Sequence, residues 1–495
     1  MDPMLEDAYD EAQTETRGTR FGGTGGSGKL WGKEERIRVS EPPKFDLESY
    51  ISNYTGRTRF DRLFLIGICS IPLSTEALKA AVTEAKAGKD VERYERAVSV
   101  LMDTAPQEPE AVLDVEWVER TQKAVKAETD RLEHELKGYK NNLIKESIRM
   151  GNEDLGLHFH QIGDLASASK AYTRMRDYCT TPTHISSMLF KVIHVSADRG
   201  DWLGLQSNVH RVRNTQTKPE EQEKIQPKLS AAMGLSQLAT GAYLEAAFSF
   251  LGTDPSLGDN YNEIISSNDV AVYGGLCALA SMDRVDLQRC VLDNQSFRNF
   301  LELEPHIRRA ISFFCASKFR PCLEILESYR ADYLLDVHLQ PHVSTIYSRI
   351  RTKAITQYLV PFSRVTLDAM AKVFSPVDNP TSPPDTSSLV QELITLIQKG
   401  TLDARIDLEK GVIVSKKPDL RANVHTTAIK SAKSYAHEAH LRLVRTNVLH
   451  AGLEIPQPAR NYPDPMQLGM EGDERGDMHG VGGGRRLGKG IGMGR

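Results

Sequence analysis

The chain has 495 residues, and its 62 Lys plus Arg nearly balance its 66 Asp plus Glu, which gives a formal net charge of −4. A general nucleic-acid binder or a polyanion-like protein needs a strongly unequal charge count, so this balance argues against both classes. At about 150 residues per domain, the length predicts about three domains or one long repeat array. Six of the 36 glycines lie at positions 18–28 and eight at 480–494, so the chain between them is glycine-poor and is predicted to be rich in helix.

The sequence also argues against membrane insertion and secretion. Its longest apolar stretches, 63–73 and 271–282, are shorter than the roughly 20 residues of a spanning helix. The acidic N-terminus lacks the basic flank and the apolar run of a signal peptide. The six cysteines include no CxxC pair and have apolar neighbours, so we expect buried free thiols of a reducing compartment rather than disulfides or zinc ligands. They are Cys69, Cys179, Cys277, Cys290, Cys315 and Cys322.

The first 150 residues divide into a polar terminus and a helical arm. Residues 1–40 are glycine-rich and poor in large apolar side chains, so burial cannot offset the entropy of ordering them and we expect disorder. In the arm, residues 41–150, the apolar spacing predicts several short helices from Phe45 to Val100. The stretch from Leu113 to Met150 contains one glycine and no proline. It is predicted to form one or two long amphipathic helices.

Residues 151–336 contain a recurring pattern that predicts a solenoid of helical repeats. In tetratricopeptide repeats, small residues let two antiparallel helices approach, and large residues at fixed offsets fill the space between them. The pattern occurs at Gly163, Leu165, Ala168 and Tyr172, at Gly200, Trp202, Leu205 and Val209, at Gly241, Tyr243, Ala246 and Phe250, and more weakly at Ser317, Phe319, Cys322 and Leu326. Gly156, seven residues before Gly163, also matches a small-residue position of the tetratricopeptide pattern. The spacing exceeds the strict repeat period, so we expect a degenerate array whose stacked helix pairs form an extended scaffold.

Residues 337–418 are predicted to form a winged helix, in which three helices precede a β-hairpin. The helices are expected near 344–359, 367–374 and 388–399. The third is predicted to begin with a capping box from Ser388 to Gln391 and to end at Gly400. A proline-rich insertion at 375–385 precedes it. The hairpin is predicted from the alternating residues 402–408, a turn at 409–411 and a second strand at 412–414.

The edge of this hairpin is the first candidate subunit interface, because unpaired backbone groups at a sheet edge can add to the sheet of another chain. The candidate residues are Ile406, Val412, Ile413 and Val414. DNA recognition by the third helix is disfavoured. Its inward face is predicted to consist of Leu389, Val390, Leu393, Ile394, Leu396 and Ile397. One Glu and one Lys then remain outside, which cannot neutralise several phosphates.

Residues 419–455 are predicted to form a C-terminal helix, which is the second candidate interface. Its apolar stripe includes Ile429, Ala432, Ala436 and Leu443. A lone amphipathic helix must bury its stripe, either on a partner's helix in a shared bundle or on its own chain, and both readings stay open. The glycine-rich tail, residues 456–495, is expected to be disordered, and its basic end is expected to be solvated.

Two motifs resemble catalytic or ligand-binding sites but lack essential residues. The segment Gly23–Lys29 resembles a phosphate-binding loop, yet Leu30 replaces the required hydroxyl residue and no strand precedes it. His158 and His160 form the H-x-H pair of a zinc isopeptidase, but Tyr172 stands where the carboxylate ligand belongs. We therefore expect no catalytic residue, no cofactor-binding residue and no metal ligand.

A helical-repeat array followed by a winged helix resembles the PCI-domain family, and several segments are similar to subunit 1 of the COP9 signalosome. These segments are Phe45–Tyr50, Tyr54–Gly56, Arg59–Leu63, Ile144–Arg149, Asp154–Gly156, Arg174–Cys179, Asp269–Asp283 and Phe300–Pro305. The resemblance implies a non-catalytic scaffold subunit that supports removal of a ubiquitin-like modifier from cullins (deneddylation), with the zinc site in another subunit. It implies no cofactor, association with other PCI subunits and cullin-RING ligase components, and a location in the nucleus and the cytoplasm.

The same resemblance implies that the winged helices of neighbouring subunits associate edge to edge. It also implies that the C-terminal helices share a bundle and that the N-terminal arm reaches outward towards ligase components. Neither a membrane nor a specific nucleic acid is an expected partner. Two alternatives stay open, a paralogous PCI subunit of the proteasome lid and an RNA-associated translation initiation subunit.

Overall fold

The computed structural model describes residues 37–215, 218–374, 386–415 and 420–453. Almost all of the predicted disordered N-terminus, the loop-like segment 23–29, the proline-rich insertion and the glycine-rich tail lie outside these ranges. The chain divides into two units between Lys416 and Lys417. None of the described helices is long and apolar enough to cross a membrane.

Six α-helices lie within the described residues 37–162 of the first unit. They are α1 (Leu47–Ser52), α2 (Gly56–Cys69), α3 (Ser74–Ala87), α4 (Val91–Thr104), α5 (Val115–Asn142) and α6 (Lys145–Ile162). Asp46, Asp90 and Asp114 cap three of them, because each side chain accepts a hydrogen bond from a backbone N–H of the first turn. The short helices and the long amphipathic helices predicted from the sequence are confirmed.

Eleven α-helices follow in the described parts of the repeat region, residues 163–215 and 218–336. They are α7 (Leu165–Met175), α8 (Pro182–Arg199), α9 (Trp202–Arg213), α10 (Pro219–Ala239), α11 (Tyr243–Leu251), α12 (Ser267–Ser281), α13 (Arg284–Asp286), α14 (Gln295–Leu303), α15 (Pro305–Cys315), α16 (Phe319–Ser328) and α17 (Arg330–Leu334). A π-helical turn over Leu287–Leu292 continues α13. Consecutive helices pack as pairs, which confirms the predicted helical-repeat architecture.

The four copies of the repeat pattern share one turn geometry. Gly163, Gly200 and Gly241 have φ angles of 94°, 68° and 78°, and Ser317 has a φ angle of 59°. This left-handed conformation ends one helix and lets the next begin two residues later. Glycine adopts it without the steric penalty that a side chain brings, so Ser317 is the strained member of the set.

The small residues of the pattern allow close helix approach, as predicted. On α6, a Cβ atom added to Gly156 would lie 2.5 Å from Cε1 of Tyr172 on α7. The Tyr172 ring thus fills the space that a side chain at position 156 would need. Gly156 and Tyr172 therefore belong to helix packing.

The N-terminal helices pack back on the end of the repeat region. Their apolar core combines side chains of α2, α3 and α4 with Ala331 of α17 and with Leu335. The backbone N–H of Lys44 also donates a hydrogen bond of 2.9 Å to Asp332. These helices thus bury their apolar faces against the same chain, and the outward reach of the arm towards ligase components stays a prediction.

The predicted winged helix is present and contains one strand more than the sequence indicated. Its elements are α18 (Val343–Leu359), β1 (Arg364–Thr366), α19 (Leu367–Phe374), α20 (Thr386–Gln398), β2 (Ala404–Asp407) and β3 (Val412–Ser415). The three antiparallel strands have the order β1-β3-β2. The capping box at Ser388 is wrong, since α20 already begins at Thr386, whereas Gly400 ends the helix as predicted, with a φ angle of 70°.

The repeat core continues into the winged helix without a break. One cluster of buried apolar residues extends from Met175 to Ile413. At the junction, the Phe374 ring of α19 lies 6.2 Å from that of Phe319 on α16 and 5.5 Å from that of Tyr358 on α18, measured between ring centroids. This packing fixes the position of the sheet relative to the last helical repeat.

In the second unit the structure describes residues 420–453, which form the long helix α21 (Leu420–His450). Its 31 residues correspond to a length of about 46 Å at 1.5 Å per residue. The apolar residues of the predicted stripe are exposed to solvent, including Ile429 and Leu443.

Candidate functional site

The sheet of the winged helix offers two edges, β1 and β2, and the prediction for the hairpin needs one correction. Val412, Ile413 and Val414 belong to β3, which pairs with β1 on one side and with β2 on the other. Their backbone groups are therefore not those of a free edge, and Ile413 is buried in the core. Ile406 lies on the edge strand β2 and is half-buried. Its role in a subunit interface stays a prediction.

Exposed apolar side chains accompany both edges, which the sequence reasoning did not identify. Leu408, at the hairpin turn after β2, is 69% exposed, and Val360 and Phe362, before β1, are 77% and 45% exposed. Large apolar side chains at a polar surface are a feature of interaction sites. They lie beside the edge strands β1 and β2, where another subunit would pair in an edge-to-edge contact.

The surface of α20 carries little charge. Its 13 residues contain no Lys or Arg, and its one acidic residue, Glu392, accepts hydrogen bonds from Nε of Arg351 on α18 at 2.8 and 2.9 Å. Ile394 was predicted to face inward but is exposed. An outer face with no basic residue and an exposed Ile suits contact with another protein better than contact with phosphates.

The C-terminal helix combines an apolar stripe with basic charge. Arg421, Lys430, Lys433, Arg442 and Arg445 are its Lys and Arg residues, and Glu438 is its one carboxylate side chain. The charge of α21 is therefore about +4 with neutral histidines. The predicted interface residues Ile429, Ala432, Ala436 and Leu443 all lie exposed on this helix, where a partner is free to cover them.

A buried arginine joins the N-terminal helices to the repeat region. Arg62 of α2 is fully buried, and its guanidinium donates to Asp336 at 2.6 Å and to Asp269 of α12 at 2.8 Å. Three tyrosines complete the group. Tyr54 donates to Asp269 at 2.7 Å, Tyr273 donates to Asp336 at 2.8 Å, and Tyr50 accepts from Arg62. We call these six residues the Arg62 network.

The electrostatics of this network depend on the one cation that two carboxylates share. Burial raises the pKa of Asp269, and the attraction of Arg62 offsets only part of that effect. Burial also acts to raise the pKa of Asp336, but Arg62 and backbone N–H donors outweigh it and hold that pKa below its usual value. Burial raises the pKa of Tyr54 and Tyr273 well above the usual value, so both remain neutral donors. The network thus depends on the charge of Arg62.

The H-x-H pair of α6 does not form a joint site. The ring of His158 contacts Thr129 of α5 at 2.9 Å from its Nε2 atom. His160 instead contacts α8, where its Nε2 lies 2.6 Å from Oδ2 of Asp198. Two residues that are two positions apart on a helix point about 200° apart, so one metal ion cannot bind both side chains. The missing carboxylate in the sequence motif agrees with this geometry.

Within the described ranges, one group of side chains has the composition of a metal site. It consists of His160, His194 and Asp198, whose ligand atoms all lie within 4.8 Å of one another. Burial lowers the pKa of His194, although Asp198 acts in the opposite direction. A neutral imidazole is the form that binds metal ions.

Two family models match adjacent parts of the chain. The model described as 26S proteasome subunit RPN7 matches residues 114–290, and the PCI domain matches residues 326–417. The COP9 signalosome complex subunit 1 of Emericella nidulans is 70% identical over 423 residues, which covers 85% of each chain. The chain belongs to the COP9 signalosome complex subunit 1 family. The member from Neurospora crassa is 45% identical, over 81% of this chain and 89% of that relative. The member from Arabidopsis thaliana is 38% identical, over 82% of this chain and 90% of that relative.

The matched 26S proteasome subunits are more distant from this chain than these members of the COP9 signalosome complex subunit 1 family. The 26S proteasome non-ATPase regulatory subunit 6 homolog of Arabidopsis thaliana is 21% identical over 318 residues, which covers 64% of this chain and 79% of that relative. The family assignment and the PCI domain both indicate a non-catalytic subunit.

Several segments that resemble the COP9 signalosome complex subunit 1 family meet in the Arg62 network. Phe45–Tyr50, Tyr54–Gly56, Arg59–Leu63 and Asp269–Asp283 each contribute at least one of its side chains. Sequence reasoning did not identify the network, because Arg62 was not separated from other charged helix residues. The available signal was its position among buried neighbours, Phe60, Leu63 and Phe64, on one helix.

Proposed function

We propose that this chain is a non-catalytic scaffold subunit of a COP9 signalosome that supports deneddylation of cullins and thereby regulates cullin-RING ubiquitin ligases. The observation that carries the proposal is the 70% identity, over 85% of both chains, to a relative named COP9 signalosome complex subunit 1. In this proposal the isopeptidase zinc site belongs to another subunit. The chain acts in the nucleus and the cytoplasm.

Two features of the fold support a scaffold role. The winged-helix sheet has a strand edge on each side of β3, and exposed apolar side chains lie beside both edges. An edge strand adds a neighbouring strand through backbone hydrogen bonds, while side chains beside it give selectivity. The helix α21 adds an exposed apolar stripe with basic flanks, which suits a bundle with other amphipathic helices.

The stripe of α21 allows a test with a matched control. Leu443 lies on the predicted stripe and is 63% exposed, whereas Leu441 is 53% exposed and lies about 200° around the same helix. We expect Leu443→Asp to prevent or weaken incorporation into the complex, because burial of a Leu contributes about 1.5–3 kcal/mol, or roughly 10- to 150-fold in affinity. Leu441→Asp should assemble like the unaltered chain.

Affinity purification of each variant followed by mass spectrometry measures assembly. The proposal requires that the unaltered chain recovers other signalosome subunits and cullins, and that its loss raises the level of modified cullin in cells. Recovery of proteasome particles, or of translation initiation factors with RNA, would instead support one of the two alternatives. Equal assembly of Leu443→Asp and Leu441→Asp would disprove the role of the stripe without affecting the family assignment.

A further inference from the structure

The three side chains His160, His194 and Asp198 lie at the junction of α6 and α8. His194 and Asp198 are four residues apart on α8, so they share one face of that helix. His160 belongs to the last turn of α6, which ends at Gly163 with a left-handed φ angle of 94°. We propose that these three residues form a binding site for one divalent transition-metal ion, with zinc as the best fit.

The distances fit a metal after small side-chain movements. Oδ2 of Asp198 lies 2.6 Å from Nε2 of His160 and 4.0 Å from Nε2 of His194. Two ligands of a tetrahedral zinc ion with bonds of about 2.0–2.1 Å lie roughly 3.3 Å apart. One distance is shorter than this and the other is longer, and the ligand atoms of His160 and His194 lie within 4.8 Å of each other. Changes of about 1.5 Å or less in each separation, shared between two rotating side chains, therefore satisfy all three pairs. Two imidazoles and one carboxylate leave a fourth position for water, as in open zinc sites.

The surroundings supply the outer contact that metal-bound histidines usually make. Nδ1 of His194 lies 3.3 Å from Oε2 of Glu263. A small rotation that lets the Nδ1–H of His194 donate to this carboxylate leaves Nε2 of the same ring free to bind metal. A groove of about 830 Å³ is lined by both His194 and Glu263, and it opens to solvent. The groove therefore gives an ion access to His194, while Asp198 lines another pocket.

The local charge favours a bound cation. A connected set of ion pairs around Asp198 contains four carboxylates and two guanidinium groups, namely Asp61, Asp90, Asp198 and Glu263 with Arg57 and Arg93. With neutral histidines, its net charge is about −2. A divalent ion neutralises this excess. Nε of Arg57, which lies 3.8 Å from Oδ2 of Asp198, acts against metal binding, but Arg57 also pairs with Asp90 at 2.9 Å.

Zinc titration of the full chain by calorimetry at neutral pH tests the site. We expect one zinc ion per chain and at least about 10-fold weaker binding for His194→Asn and Asp198→Asn. The side chain of Glu263 is 66% exposed, so Glu263→Gln should leave the fold intact and still weaken binding by about 10-fold through the lost outer contact. His158→Asn is the matched control, because His158 lies on the same helix as His160 but outside the site.

Cobalt(II) gives a second readout, since its visible spectrum reports coordination number and distinguishes imidazole and carboxylate ligands from thiolates. We expect the spectrum of a tetrahedral or five-coordinate cobalt site without a thiolate charge-transfer band. This cobalt spectrum should disappear in His194→Asn. The proposal is overturned if the folded chain binds no stoichiometric zinc. It is also overturned if Glu263→Gln and His194→Asn bind zinc as tightly as His158→Asn does.

Discussion

Replacement of Arg62 by Ala should open the contact between the N-terminal helices and the repeat region. The change removes the cation that Asp269 and Asp336 share and leaves both carboxylates buried. Removing one partner of a buried ion pair typically costs about 3–5 kcal/mol, because the remaining charge has no compensation. Arg59 of the same helix provides the control, since it is 42% exposed and its pair with Glu84 at 3.4 Å should contribute at most about 1 kcal/mol.

The penalty of Arg62→Ala should depend on pH. Without the guanidinium, burial raises the pKa of Asp269 and Asp336 above their values in the unfolded chain. The loss of stability is therefore complete near pH 7 and becomes smaller as the pH falls through these raised pKa values. In the unaltered protein the pKa of Asp336 is lowered, so its contribution to stability is lost as the pH falls. Both effects reduce the difference in the free energy of unfolding between the variant and the unaltered protein at acidic pH.

Hydrogen exchange read by mass spectrometry measures this opening locally. A loss of 3–5 kcal/mol corresponds to about 150- to 5,000-fold faster exchange for protected amides of α2 and α12. The triple change Arg62→Met, Asp269→Asn and Asp336→Asn removes the charges together and should recover much of the protection. The reasoning is refuted if Arg62→Ala and Arg59→Ala exchange alike, or if the effect of Arg62→Ala grows as the pH is lowered from 7 to 5.

Three further predictions concern packing, turn geometry and thiol reactivity. In denaturant titrations, Gly156→Ala should lower the free energy of unfolding by about 1–3 kcal/mol, because its Cβ would lie 2.5 Å from the Tyr172 ring. Gly138→Ala is the control, and because open space surrounds this position it should raise that free energy by about 0.5–1 kcal/mol. Ser317→Gly should stabilise the chain by up to about 1 kcal/mol, since φ at this position is 59°. An unchanged or lower midpoint of thermal unfolding would contradict the inference that the backbone is strained at Ser317. Burial raises the pKa of Cys277 to about 12, so its alkylation should be negligible at pH 8 in the native chain and rapid after unfolding.

Local signals in the sequence were sufficient for much of the fold. The Gly163, Gly200 and Gly241 turns are encoded by glycine at left-handed positions, and the hairpin by two alternating runs around Gly411. The strand β1 was missed because its three residues are too few to show alternation. The start of α20 was misplaced, because Ser388 has the composition of a capping residue but lies inside the helix.

Contacts between distant segments were not accessible to the same reasoning. Arg62 meets Asp336 across 274 positions, and His160 meets Asp198 across 38 positions, so neither pairing has a sequence spacing that identifies it. The H-x-H motif groups His158 with His160 in the sequence, although helix geometry separates their side chains. For Arg62 and for His160, the packing of helices determines the partner, and helix periodicity indicates only which face of the helix each side chain occupies.

The unbroken core between the last repeat and the winged helix limits how the chain can be divided. The PCI domain match begins at residue 326, but the Phe319 ring that packs on Phe374 and Tyr358 lies before that point. A fragment that starts at 326 would remove the Phe319 ring from these two aromatic side chains and expose part of their surface, and it would be prone to aggregate through the exposed patch. Stable fragments of this protein should therefore begin before α16, and a force applied to the sheet edge will pass directly into the helical repeats.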